Sequence, residues 1–383
     1  MTFNFAHATH SDWRIALGKC WPQIQEQIDA SSTSPTLGWC YFTDHYTADA
    51  GAILDALCQR WPKVQWVGTI AVGVAAGPVE YIDEPAIVMM LCDLPSESFR
   101  LFSGTDPRQS DSADFEAFTA LVHADGGTPN LAAQIKDLSG KTTTGFLFGG
   151  LSSGRTQMLH FSGEMHVAGL SGVAFSPEVP MLSRVTQGCQ PIGPPRTVTR
   201  SEENYLVSLD DARALDCAMS DLGLSEDISD DDLRQELAET LVGIIATGED
   251  VPKQAGQFGT DTEVRHLMGV GRSSGLLAVA EKLIPGMRLA FCTRNVEAAK
   301  RDVLRIIDEI HAECRNGQRM SGALYISCSG RGGPHFGEPH AEFQLVSQSL
   351  GDVPLIGFFA GGEIARHHLY GYTGVLTVFT ESA

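Results

Sequence analysis

Ile356-Gly357-Phe358-Phe359-Ala360-Gly361-Gly362 reads as an apolar residue followed by G-x-x-x-x-G. The same pattern stands at Val67-Gly68-Thr69-Ile70-Ala71-Val72-Gly73 and at Phe148-Gly149-Gly150-Leu151-Ser152-Ser153-Gly154. Glycine is abundant, 40 of 383 residues, against a usual ~7%, and it recurs in this one local form. Each turn is followed by a strand-like stretch, at 85–91, 168–175 and 373–379. Upstream, the first and third copies match again. Residues 38–43 and 323–328 read as strands, 50–61 and 342–350 as helices, and 64–70 and 354–359 as second strands. Strand–helix–strand favours parallel pairing through a right-handed crossover, whereas a short glycine return favours an antiparallel neighbour. The expected class is α/β to α+β: two related lobes of mixed β-sheet covered by helices, from an internal duplication of strand–helix–strand–Gly turn–strand units.

Other segments fill in the organisation. Gly188-Cys189-Gln190-Pro191-Ile192-Gly193-Pro194-Pro195 interrupts strand and helix alike and marks a boundary. Acidic residues gather at 226–232 ahead of a helix expected to reach Ala246, with Leu233, Leu237, Leu241 and Ile244 on one face. Acidic groups at a helix start complement its dipole, so this run reads as a solvated cap rather than a calcium loop. A second helix is expected over 296–314, capped by Asn295 and burying Ala299, Val303, Ile306, Ile307 and Ile310. Residues 104–115 are polar and read as a loop.

Composition removes several function classes. The chain carries 27 basic against 47 acidic side chains, a formal charge of −20, which repels phosphate backbones and argues against nucleic-acid binding. No secretory signal opens the sequence, and no apolar run approaches the ~20 residues of a membrane-spanning helix. Nine scattered cysteines form no C-x-x-C pair, which fits buried thiols in a reducing compartment better than a disulfide framework or zinc site. The chain therefore reads as soluble and cytoplasmic. Hydrophobic residues, 43% of the whole, are enough for a sizeable core.

Two segments offer chemistry. Cys328-Ser329-Gly330-Arg331-Gly332-Gly333 follows a predicted strand directly. Its backbone N–H groups suit an anion nest, and Arg331 suits a bidentate clamp on a carboxylate or phosphate. Two residues between Cys328 and Arg331 are too few for a phosphatase-type loop, and a tight turn over a buried thiol is the plain alternative. In 357–364, Phe358 and Phe359 offer an apolar wall, Gly357 and Gly362 permit close approach, and Glu363 stands at the turn. Arg331 with Glu363 would suit the two ends of a zwitterion such as an amino acid; the alternative is a β-turn in which Glu363 caps loose N–H groups. His335, His340, His367 and His368 show no metal-ligand spacing. A haem needs only one proximal histidine, for which His367 and His368 are the candidates. The glycine string 269–275 departs from the dinucleotide fingerprint and reads as a loop. No catalytic constellation is present, so the chain does not read as an enzyme.

These pieces together resemble the FIST domain family, with its N-terminal and C-terminal modules. The resemblance is carried by the C-x-G-R loop at 328–331, the downstream Glu342, the G-F-F-x-x-G-E-I run at 357–364 and the closing strand at 372–379. The stretches 148–154 and 185–194 look like the subgroup of stand-alone bacterial proteins related to the FIST part of an F-box protein. Where members often have an asparagine before the glycine, this chain has Ala360-Gly361-Gly362. The resemblance implies a lead-in over 1–34, an N-terminal domain over 35–200 and a C-terminal domain over 201–383. It also implies a sensory protein in signal transduction that binds a small ligand between its lobes and acts on a separate signalling protein. The ligand-binding set so implied is Cys328, Ser329, Gly330, Arg331, Glu342, Gly357, Phe358, Phe359, Gly362 and Glu363, with Thr69, Ser152 and Ser153 from the other two turns. No cofactor is expected on this reading; a haem-based nitric-oxide sensor and a ligand-free scaffold for protein partners are the alternatives.

Overall fold

Each of the three glycine turns ends the second strand of a parallel pair, and the pairs organise most of the molecule. The structure is a computed structural model describing residues 1–107, 115–245, 262–314 and 317–382. The chain divides into two compact units, Met1–Thr186 with Lys300–Ala383, and Gln187–Ala299.

The first repeat comprises β1 (Phe3–Thr9), α1 (Trp13–Ser31), β2 (Leu37–Thr43), α2 (Ala50–Arg60) and β3 (Gln65–Ala71). A hairpin, β4 (Gly73–Ala76) and β5 (Val79–Ile82), and the return strand β6 (Ala86–Cys92) complete it. The second repeat has the same strand order, with no helix among the described residues between its first two strands: β7 (Phe99–Ser103), β8 (Thr119–Ala124), α3 (Leu131–Ser139), β9 (Leu147–Leu151), the hairpin β10 (His160–Ser162) with β11 (Glu164–His166), and β12 (Leu170–Phe175). The third repeat opens with β13 (Met181–Gln187).

The second unit follows in sequence. It contains β14 (Cys189–Pro191), β15 (Arg196–Glu202), β16 (Tyr205–Leu209), β17 (Ala212–Arg213), α4 (Ala214–Leu222) and α5 (Asp230–Glu239). It ends with β18 (Leu241–Ile245), β19 (Glu263–Gly271), β20 (Leu276–Val279) and β21 (Arg288–Arg294). The third repeat then resumes with α6 (Val296–Cys314), β22 (Gln318–Cys328), α7 (Ala341–Leu350) and β23 (Leu355–Ala360). The hairpin β24 (Glu363–Arg366) with β25 (His368–Tyr370), and β26 (Thr373–Ser382), close the chain.

The three sheets of the first unit share one strand order: β1-β6-β2-β3-β10-β11, β7-β12-β8-β9-β24-β25, and β13-β26-β22-β23-β4-β5. In each, the central pair is parallel and the return strand is antiparallel. The mixed-sheet α/β reading is thus borne out, and the repeated unit occurs a third time. The hairpin after each glycine turn does not stay in its own sheet. β4–β5 extends the sheet at β23, β24–β25 extends the sheet at β9, and β10–β11 extends the sheet at β3. The exchange closes on itself, so each sheet is completed by a hairpin from another repeat.

Gly68, Gly149 and Gly357 hold equivalent places, in register with Cys40, Val122 and Tyr325 on the parallel neighbour. A Cβ added at these glycines would lie 1.8, 1.9 and 1.8 Å from the partner carbonyl oxygens, a separation no side chain tolerates. Inner faces of all three sheets share one core, including Trp39, Tyr41, Phe148, Phe175, Ile326 and Phe358. Helices α1 and α2 cover the outer face of the first sheet. In the second unit, β21, β15, β16, β20, β19 and β18 form a closed ring, because β18 pairs with β21 as well as β19. The glycine string after 269 makes the turn between β19 and β20.

Two sequence expectations change here. The helix expected to reach Ala246 stops at Glu239; Thr240 is extended and Leu241–Ile245 is a strand, since β-branched Val242, Ile244 and Ile245 suit a pleated surface better than a helix. The cap reading of its start holds, with Ser229 accepting from the Asp232 N–H. The middle repeat has its own strand and helix, β8 and α3, hidden because β8 is buried along its whole length and shows no alternation. The lead-in over 1–34 contains a strand and a full helix, β1 and α1. Most of the expected loop at 104–115 lies outside the described residues. Asn295 caps α6 as expected, accepting from the Ala298 N–H at 2.8 Å. All nine cysteines are free thiols, and only Cys58 is not buried.

Candidate functional site

Strand alternation sends Tyr325 and Ser327 of β22 to the face covered by α7. There both hydroxyls donate to Glu342 in the first turn of that helix, at 2.7 and 2.9 Å. The turn after Cys328 brings Arg331 to the same carboxylate, Nε at 3.0 Å and Nη2 at 2.9 Å. Nη1 donates to the Tyr372 carbonyl, and the guanidinium lies 5.3 Å from the Phe336 ring centre. Arg331 and Glu342 are both fully buried. Burial works against the Arg331 charge, but the Glu342 carboxylate outweighs it and holds the guanidinium above its ordinary range. The sequence reading kept Arg331 for a ligand carboxylate; in the structure a carboxylate of the chain itself takes that place.

Glu363 opens β24 on the other side of the turn. Its Oε2 accepts from the Thr373 N–H at 3.1 Å and hydroxyl at 2.7 Å. Oε1 is buried and has no partner. Burial pushes this carboxyl up to about 8, against the Thr373 hydrogen bonds and the Arg331 charge. The Cys328 thiol lies against the same carboxyl and is itself pushed up, by burial first and by Glu363 second. At neutral pH the site therefore holds a closed Arg331–Glu342 pair beside a largely protonated Glu363.

Other candidate residues divide between two faces. Successive residues of a strand point opposite ways, so Phe358 and Phe359 do not form the single wall expected. Phe358 packs in the shared core on Tyr41 and His123, at 4.8 and 5.7 Å. Phe359 meets Phe343 of α7 at 5.6 Å, and a Cβ at Gly332 would touch its ring. Gly357 and Gly362 serve close backbone packing: the Gly362 carbonyl accepts from the Leu151 N–H at 2.8 Å. Gly330 sits under the Tyr372 ring. Ser329 is exposed, its N–H donating to the Ala360 carbonyl. Thr69, Ser152 and Ser153 gather where the turns meet. Thr69 and Ser152 share a hydrogen bond of 2.7 Å, while Ser153 accepts from the Val72 N–H and donates to the Phe359 carbonyl. All three turns thus converge, joined by hydrogen bonds among themselves. His367 and His368 lie at the tip of the β24–β25 hairpin, His367 exposed, and are not gathered with this set.

Sequence reasoning missed Tyr325, Ser327 and Thr373, whose alternation with apolar neighbours was the available signal. It also missed Glu80 on the exchanged hairpin β4–β5. That carboxylate accepts from the Phe343 N–H at the start of α7, at 2.9 Å, across a sequence separation no local pattern spans.

Titration of Glu363 has a measurable consequence. Its folded value is raised, so its contribution is fully present below the ordinary carboxylate value and fades as pH climbs to about 8. Glu363→Gln should remove that dependence, with a stability advantage over wild type that grows by a few kcal/mol between about pH 5 and about pH 9. Urea unfolding at both ends of that range measures it, and a constant difference would mean the carboxyl is ionised throughout.

Residues 36–212 match the FIST N domain and residues 214–366 the FIST C domain. The chain belongs to the FIST family. FIST domains are sensory domains of signal transduction. The FIST chain is similar to an uncharacterized protein of Mycobacterium bovis, 27% identical over 372 residues that cover 93% of this chain and 94% of the relative. It is likewise similar to an uncharacterized protein of Mycobacterium tuberculosis, 28% identical over 393 residues covering 98% of each. Among the described residues no helix is long and apolar enough to cross a membrane.

Proposed function

We propose that this FIST protein senses a small amine-bearing ligand, a zwitterion such as an amino acid, through Glu363 and the turn after Cys328, and passes the signal to a separate protein. The observation that carries this reading is the unpartnered Oε1 of Glu363, fully buried beside Cys328 and within the field of Arg331. A buried carboxyl oxygen without a hydrogen-bond partner is costly, and a ligand ammonium would supply one to the ionised carboxylate. Binding a cation there draws Glu363 into its ionised form, so uptake of the ligand releases a proton. Arg331, tied to Glu342, sets the potential and fixes the turn. Glu363 and Arg331 are both covered, so entry requires the glycine-flanked turn at 330–337 to move, and that movement is what a partner protein would read.

A thermal-shift screen of free amino acids on wild type and Glu363→Gln tests this. A ligand should raise the wild-type midpoint in proportion to the logarithm of its concentration above Kd. The shift should vanish in Glu363→Gln, and calorimetry in buffers of different ionisation enthalpy should show proton release. Equal shifts in both proteins, or none in either, would reject Glu363 as the acceptor. Arg331 is the wrong residue for this test because its loss opens the fold itself.

A further inference from the structure

Strands β25 and β26 are joined by Gly371 and Tyr372. Tyr372 has a φ of +59°, in the left-handed region where a Cβ crowds the backbone and a bulky side chain is an outlier. Strain of this kind persists only where the surroundings hold it in place, and here the surroundings are the candidate site. The Tyr372 N–H is turned to the Cys328 sulfur. Its carbonyl accepts from Arg331 Nη1 at 3.3 Å, and the next N–H, that of Thr373, donates to Glu363 Oε2 at 3.1 Å. In extended backbone successive N–H groups point opposite ways. The left-handed residue lets both face inward, as in a nest.

The side chain of Tyr372 covers what its backbone holds. Its ring packs on Gly330: a Cβ added there would lie 2.9 Å from the ring Cε1 and 3.8 Å from Cys328 Sγ. Ring and thiol thus border the same small space, the one a side chain at 330 would fill. Cys328, Arg331 and Glu363 are buried, Ser329 is exposed, and Gly330 and Tyr372 are partly exposed. Gly330 has no side chain with which to close that border, so the cover over the thiol, which lies against Glu363, falls to the aromatic ring.

We propose that Tyr372 is the gate and positioning residue of the Glu363 site: its ring closes the turn at Gly330, and its left-handed backbone ties Cys328, Arg331 and Glu363 together. A swing of Tyr372 to extended backbone relieves its strain, frees Arg331 from the carbonyl and lifts the ring from Gly330, which releases the turn at 330–337. This rests on the reading of Glu363 as the ligand's acceptor and deepens it by naming the group whose movement admits the ligand.

Cys328 itself reports the gate, so the test needs no ligand. The full chain is treated with methyl methanethiosulfonate at about pH 8, where the thiolate attacks the reagent, and labelling of each cysteine is followed in time by peptide mass spectrometry. Cys58, the one cysteine that is not buried, gives the open rate, and Cys40, fully buried in the same unit, reports unfolding. In the wild type Cys328 should label far more slowly than Cys58. Tyr372→Gly keeps the left-handed backbone without strain and removes the ring, so Cys328 labelling should rise by about tenfold or more while Cys40 stays protected. Tyr372→Asn, which also tolerates this backbone, should give the same rise, and Tyr372→Phe, which keeps the ring, should match the wild type. Unchanged Cys328 labelling in the Gly and Asn variants, a rise in both that Cys40 matches, or an equal rise in Tyr372→Phe would each overturn the proposal. No amino acid is present in these measurements, so failure here rejects the gate and leaves Glu363 to be judged by the thermal-shift screen.

Discussion

Arg331→Met should destabilise the first unit by about 3–5 kcal/mol, because it leaves the Glu342 carboxylate buried without its counter-charge. Glu342 would keep two hydroxyl donors, Tyr325 and Ser327, but hydroxyls do not repay the desolvation of a full charge. Glu342→Gln should cost a similar amount by stranding Arg331, which is equally buried. The double variant Arg331→Met with Glu342→Leu should recover much of the loss, since an apolar pair of similar volume replaces an ion pair whose desolvation cost is high. Tryptophan fluorescence isolates the effect: all five tryptophans, Trp13, Trp21, Trp39, Trp61 and Trp66, belong to the first unit. Independent, additive losses in urea unfolding would show that the pair is not coupled.

Gly149→Ala should be still more damaging. Its φ of +148° lies outside what L side chains adopt, and a Cβ there would sit 1.9 Å from the Val122 carbonyl oxygen. Because β9 also receives the exchanged hairpin β24–β25, prising β8 from β9 disturbs two repeats at once. A loss beyond about 5 kcal/mol is expected, visible as failure to recover a folded first unit by tryptophan emission. Gly51→Ala is the matched control: it lies in α2 with nothing within 4 Å of the added carbon, and should gain up to about 1 kcal/mol. Near-native stability of Gly149→Ala would mean that the parallel pair can separate at that point without cost.

Much of this architecture was legible because its determinants are local. The run from Gly357 to Gly362 announces a strand end and a turn, and the spacing of Ile53, Leu54 and Leu57 announces α2. The expected strand at 85–91 corresponds to β6 at Ala86–Cys92. Where buried strands lose alternation, as in β8, the pattern fell silent. Where helix and strand share an apolar run, as at Leu241–Ile245, periodicity favoured the wrong element and β-branching the right one. Arg331 and Glu363 were recognisable as chemistry-bearing residues, but not their partners.

The sequence by itself determined the repeated unit, the mixed strand pairing and the glycines that permit it, since each follows from backbone sterics and side-chain period within a few residues. Only the tertiary structure decided where each hairpin goes, because the turn lets the chain leave its sheet without naming the sheet it joins. The same exchange brings Glu80 to the start of α7. The turn after Cys328 likewise directs Arg331 to Glu342, leaving Glu363 with a buried oxygen. Charge pairing in a core depends on which groups are removed from water together, and that is a property of the packed chain.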